Sequence, residues 1–66
     1  MNSQKLKGKI REEGKTYQEC ANAIGISVTN FTNKVNGKSP FKLPEANALG
    51  DYLHMNGDEK ISVFLV

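Results

Sequence analysis

Glycines at positions 14, 25, 37 and 57 each close a stretch of helical character. Glycine is the residue best suited to the left-handed turn that ends a helix. The first three lie 11 and 12 residues apart, so each helix between them has room for only about two turns. This spacing predicts an all-α chain of four to five short helices. With 66 residues in total, those helices form one domain, 1–66, with a thin core.

The first helix is expected from Asn2 or Ser3 to about Glu13, with Leu6 and Ile10 as its buried stripe. Gly8 inside it offers room for another helix to approach. The second is expected over about 17–24. Thr16-Tyr17-Gln18-Glu19 fits a capping box, in which hydroxyl and carboxylate satisfy each other's backbone N–H groups. Cys20, Ala21 and Ile24 form its inner face. Cys20 is the only cysteine and reads as a small buried hydrophobe. One thiol makes no internal disulfide, which suits a reducing cytosol.

Ser27 caps the third helix, about 28–36, with Phe31 and Val35 facing inward. An irregular stretch follows, in which Phe41 and Leu43 are expected to anchor the chain to the core. Pro44 at the first helical position and Glu45 beside it open the fourth helix, about 44–55, with Ala46, Leu49 and Leu53 inside. The tail 58–66 reads two ways. Asp58-Glu59-Lys60 can start a helical turn, whereas the β-branched and aromatic run Ile61 to Val66 favours an extended segment. A lone strand must pack back on the helices or pair with another chain. Ile61, Val63, Phe64, Leu65 and Val66 are therefore candidate dimer contacts.

Charge is unevenly spread. Residues 1–42 carry eight Lys and Arg against three Glu, or +5; residues 43–66 carry one Lys against four carboxylates, or −3. The basic part suggests an anionic partner. The first nine residues hold no apolar signal core, and the longest apolar run, Val63 to Val66, is too short to span a bilayer. A cytoplasmic protein without membrane contact is expected. A chain this short rarely encloses a substrate pocket, and no acid–base pair, nucleophile constellation or phosphate loop is present. Neither enzyme activity, a cofactor, a metal nor a small-molecule substrate is expected.

The third helix has an unusual outer face. At 100° per residue, Thr29, Asn33 and Asn36 lie opposite Phe31 and Val35, with Asn30 and Thr32 flanking. Asn and Thr are poor helix formers, so their presence on an exposed face costs stability and suggests a use. A helix, a short turn containing Gly25, and a second helix make a helix-turn-helix unit. In that unit the second helix enters the DNA major groove. Asn pairs with adenine, Thr donates or accepts, and an aliphatic group touches the thymine methyl. Val28, Thr29, Asn30, Thr32 and Asn33 supply that vocabulary.

Residues 6–55 resemble the Cro/repressor family of helix-turn-helix proteins, the lambdoid phage repressor type. The resemblance rests on Thr16-Tyr17-Gln18-Glu19-Cys20-Ala21, Gly25-Ile26-Ser27, Phe31, Val35-Asn36-Gly37-Lys38 and Leu43-Pro44-Glu45-Ala46. Lys34 to Phe41 is similar to a subset of small phage-related regulators. The resemblance implies a fold of four or five helices and a homodimer that binds double-stranded operator DNA to regulate transcription. It implies base contacts from Val28, Thr29, Thr32 and Asn33. It also implies phosphate contacts from Thr16, Tyr17, Asn36 and Lys38, to which Gln18, Ser27, Lys34 and Lys42 are added here as neighbours. Two positions depart from the family: many members have Gln where Tyr17 stands and an apolar residue where Lys34 stands. The alternative is a protein-interaction module of the same fold, antirepressor- or antitoxin-like, with weak DNA binding.

Overall fold

The computed structural model describes residues 1–65; Val66, one of the candidate dimer contacts, lies outside the described residues. Among them are five helices: α1 Ser3–Glu12, α2 Tyr17–Ile24, α3 Val28–Val35, α4 Leu43–Tyr52 and α5 Gly57–Phe64. No strand occurs among the described residues, and no helix is long and apolar enough to cross a membrane.

Four of the five helices start on a side-chain cap. Asn2, Thr16, Ser27 and Asn56 accept from the backbone N–H of Lys5, Glu19, Asn30 and Glu59. Such caps satisfy N–H groups that have no partner inside the helix. Four helices also end alike. Lys15 N donates to Ile10 O, Ile26 N to Ala21 O, Lys38 N to Asn33 O and Met55 N to Gly50 O. Each closure needs a left-handed residue just before the donor. Gly14, Gly25 and Gly37 fill that place with φ of 68°, 77° and 79°.

The fourth closure departs from expectation. Its left-handed residue is His54, at φ 59°, and not Gly57. Gly57 instead opens α5 behind the Asn56 cap. His54 Nδ1 lies 2.8 Å from Glu13 Oε1, so α1 and the end of α4 meet there. α4 accordingly stops at Tyr52, short of the expected Met55.

The tail is the larger correction. Residues 57–64 are helical, and no extended segment forms among the described residues. Asn56 and Glu59 make a full capping box, which supplies a start that β-branched residues do not oppose strongly. Tertiary contacts then hold the helix. Asn2 N donates to Val63 O at 2.7 Å, and Lys5 Nζ reaches Ser62 Oγ at 2.6 Å. The Lys60 stem lies across Gly50, where a Cβ would sit 2.8 Å from Lys60 Cε. Its ammonium bonds Asp51 and Asn47. Gly50 thus gives α5 its seat on α4.

Leu6, Ile10, Cys20, Ala21, Phe31, Val35, Leu49, Leu53, Met55 and Val63 form one buried cluster. Burial pushes the Cys20 thiol up, so it stays protonated and packs as a hydrophobe. Four aromatic rings cross this core edge-on. Tyr17 meets Phe31 at 5.5 Å, Phe31 meets Phe41 at 6.0 Å, and Phe41 meets Phe64 at 5.6 Å. Phe41 anchors the loop after α3 as expected. Leu43 does not: it is 76% exposed, because it begins α4 on the solvent side.

Gly8 is also not a close-packing site. A Cβ there would meet nothing within 4 Å. Gly8→Ala is therefore expected to stabilise the domain by about 1 kcal/mol, from helix propensity alone. A thermal melt checks this; an unchanged or lower midpoint would contradict the open surroundings.

Candidate nucleic-acid interface

α2, the turn Gly25-Ile26-Ser27 and α3 build the helix-turn-helix. Ala21 and Cys20 are fully buried beneath α3, and Phe31 and Val35 fasten α3 from the other side. That leaves one outward stripe. Thr29, Asn30 and Asn36 are exposed and Asn33 is half-buried. The side-chain hydrogen bonds of this helix involve Ser27, Thr32 and Lys34. The three Asn amides and the Thr29 hydroxyl are free among the described residues.

The two other base-contact candidates sit differently. Val28 is half-buried and packs on the core cluster. Thr32 is half-buried, and its hydroxyl donates to Val28 O at 2.8 Å. Both border the stripe rather than project from it.

The phosphate candidates also divide. Thr16 and Glu19 complete a capping box that takes up the N–H groups of Thr16 and Glu19. The Thr16 backbone N–H, and then the Thr16 hydroxyl, hold the Glu19 carboxyl below its usual value, so it is an anion at neutral pH. The N–H groups of Tyr17 and Gln18 remain at that helix start. Gln18 bonds Asn22 through its amide, and the Tyr17 ring is half-buried against Phe31. Ser27 caps α3 with its hydroxyl oxygen.

Asn36, Lys38 and Lys42 are exposed on the loop that leaves α3. The hydrogen bond from Lys38 N to Asn33 O fixes the start of that loop on the helix end. Neither Lys38 nor Lys42 forms an ion pair among the described residues.

Lys34 is the exception. Its ammonium lies 2.6 Å from Glu45 Oε1, and both side chains are largely covered, 13% and 15% exposed. The same carboxylate oxygen accepts from Lys42 N at 2.9 Å. Lys34 and then Lys42 N hold the Glu45 carboxyl below its usual value. One carboxylate therefore ties the last turn of α3 to the Lys42 end of the loop that also bears Lys38. Glu45 reads in sequence only as an acidic residue at a helix start. Its distance of 11 residues from Lys34 carries no local signal.

These features define an all-α domain with a helix-turn-helix, whose second helix presents an uncommitted amide and hydroxyl stripe flanked by unpaired lysines. Comparison with protein-family models, with curated proteins and with solved structures yields no match to this chain.

Proposed function

We propose that the chain binds double-stranded DNA sequence-specifically, as a Cro/repressor-like transcriptional regulator of a phage or integrated element. The carrying observation is the α3 stripe: Thr29, Asn30, Asn33 and Asn36 keep their hydrogen-bonding groups free, beside Lys38 and Lys42. Such groups match base edges in the major groove, and the lysines match the phosphates on its rim. Val28 and Thr32 supply apolar contact at the border. Lys34 serves the fold through Glu45.

The bound form is a pair of copies on two half-sites about 34 Å apart. The domain measures 27 × 23 × 20 Å, small enough for one copy to occupy each half-site.

Binding titrations on a selected duplex and a random one test the reading. Asn33→Ala is expected to lose about 1–2 kcal/mol on the selected site and little on random DNA. Lys38→Ala is expected to weaken both alike and to lower the salt slope by roughly 1. Equal losses for Asn33→Ala on both duplexes would remove its base-reading role. The protein-interaction alternative draws on a different observation, the exposed Leu43, Ile61 and Leu65. Its sign is a tight protein complex alongside weak, sequence-independent DNA binding.

A further inference from the structure

Asparagine stands directly before glycine at two places, Asn36-Gly37 and Asn56-Gly57. The pair carries its own chemistry. The glycine backbone nitrogen, unshielded by any Cβ of its own residue, attacks the asparagine side-chain carbonyl carbon, Cγ. A C–N bond forms, the Cγ–NH2 bond breaks, and the nitrogen's proton leaves with the amide as ammonia. Water then opens the five-membered imide at either carbonyl. One opening gives aspartate. The other gives isoaspartate, whose main chain runs through Cβ and Cγ. Water is the only co-reactant, and no oxidant or reductant takes part.

The two pairs are identical in sequence and opposite in setting. Asn56 is locked. Its Oδ1 accepts from Glu59 N at 2.8 Å, and its own N–H donates to Glu59 Oε1 at 3.1 Å. Gly57 N has no partner inside its helix, yet the carbonyl it would attack is held. Opening Asn56 breaks both halves of the α5 box, between the buried Met55 and the helix that carries Val63 into the core. Asp58 and Glu59 follow, and their carboxylates oppose the deprotonated nitrogen that attacks. Asn36 is set differently. Its side-chain amide is unbonded among the described residues, and residues 36–38 are all exposed. Ring closure turns the Gly37 nitrogen toward that side chain, about the Asn36 Cα–C bond and away from its ψ of 2°. The turn releases two closing hydrogen bonds, Gly37 N to Lys34 O at 3.1 Å and Lys38 N to Asn33 O at 2.9 Å. The nearest core contacts, Val35 and Phe41, stand outside the three exposed residues. A helix end of this kind frays at little cost. The Lys38 ammonium, one residue on, favours the anionic nitrogen.

We propose that Asn36-Gly37 is a site of self-modification: the folded chain converts Asn36 to aspartate and isoaspartate well ahead of Asn56. The conversion sets a carboxylate on the α3 face, where an uncommitted amide stood near Lys38. Isoaspartate also lengthens the main chain between α3 and the loop that bears Lys38 and Lys42. The consequence for DNA rests on the function proposed above, whereas the conversion itself does not. A carboxylate here repels phosphate, so the age of the chain sets its affinity.

Ageing the full chain at neutral pH tests this, once in its native state and once in urea. Peptide mapping by mass spectrometry locates each conversion, and an isoaspartyl methyltransferase counts the isoaspartate. In the native chain Asn36 is expected to convert roughly tenfold faster than Asn56, the ratio that a small difference in local opening produces. In urea the two are expected to convert alike, because the reacting pair is the same. Equal native rates, or Asn56 converting first, overturn the proposal. So does a native chain that keeps both amides for as long as the chain in urea takes to lose them. Asn36→Asp, one product made directly, is expected to keep its helical circular dichroism and to bind selected and random duplexes roughly tenfold more weakly. An Asn36→Asp chain that binds as tightly as the native one overturns the loss of affinity. A native chain that prefers no duplex removes the DNA reading and its consequence, while the conversion stands or falls on the peptide map.

Discussion

Phe31→Ala is expected to remove much of the domain's stability and to lower its melting midpoint more than any other single change considered. Phe31 is the largest fully buried side chain and the middle ring of the aromatic series. Its removal costs about 4 kcal/mol from lost burial and the cavity left behind. A chain of 66 residues has roughly 3–10 kcal/mol of stability in all, so this one change takes much of it. The loss reaches the candidate interface from two sides. Tyr17 packs edge-on to Phe31 at the start of α2, and Phe41 does so on the loop that carries Lys38. A circular-dichroism melt reads the result. At about 4–8 °C per kcal/mol for a domain of this size, the midpoint should fall by roughly 20–30 °C. Phe31→Leu, which keeps most of the volume, should lose far less. A midpoint within about 10 °C of the native one for the alanine variant would show that the neighbouring rings close the gap.

What was legible in the sequence was local. The Thr16–Glu19 box, the Ser27 cap and the glycines 14, 25 and 37 each act within five residues, and each appears where the pattern predicts it. The buried stripe of Phe31 and Val35 follows from helical period alone, and so does the outward stripe of Thr29, Asn33 and Asn36. The misreadings are tertiary in origin. Ile61 to Phe64 has strand-favouring residues, but it is helical because Asn2, Lys5 and Gly50 receive it, residues at the far end of the chain or on α4. His54 takes a left-handed conformation that residue type alone does not suggest, where α4 closes against α1. Leu43 is apolar yet exposed, because its helix begins on the solvent side. At the candidate site, residue type identified the uncommitted Asn and Thr groups. It could not separate Lys34, held by Glu45, from Lys38 and Lys42, which are free among the described residues.

That separation carries the second large effect. Glu45→Ala is expected to destabilise the domain by about 2 kcal/mol, allowing for water at the edge of the pair. The change leaves Lys34 largely covered without its counter-charge and Lys42 N without its acceptor. Lys34→Met keeps the stem and removes the charge, while Glu45 still caps Lys42 N, so its loss should be smaller. The two variants also part on DNA. Glu45→Ala frees the Lys42 end of the loop and, on the proposed function, should weaken binding to every duplex, because Lys42 loses its fixed position beside the α3 stripe. Lys34→Met should leave the salt slope unchanged, since an ammonium held at 2.6 Å by a carboxylate is no phosphate contact. A slope lowered by about 1 in Lys34→Met would return that lysine to the phosphate set. Acid supplies an independent reading of the same clamp. The folded Glu45 carboxyl titrates below its usual 4.5, so its contribution is complete above that value and is lost as pH falls through its own lowered one. Glu13, Glu19 and Glu59 are lowered as well, by His54, by the Thr16 backbone N–H and by the Asn56 backbone N–H respectively. The native domain should therefore lose stability steeply below pH 4.5, and Glu45→Ala should show a shallower acid limb. Parallel acid limbs in the two proteins would mean that Glu45 binds its proton equally well folded and unfolded, and the clamp would then hold no charge-dependent strength.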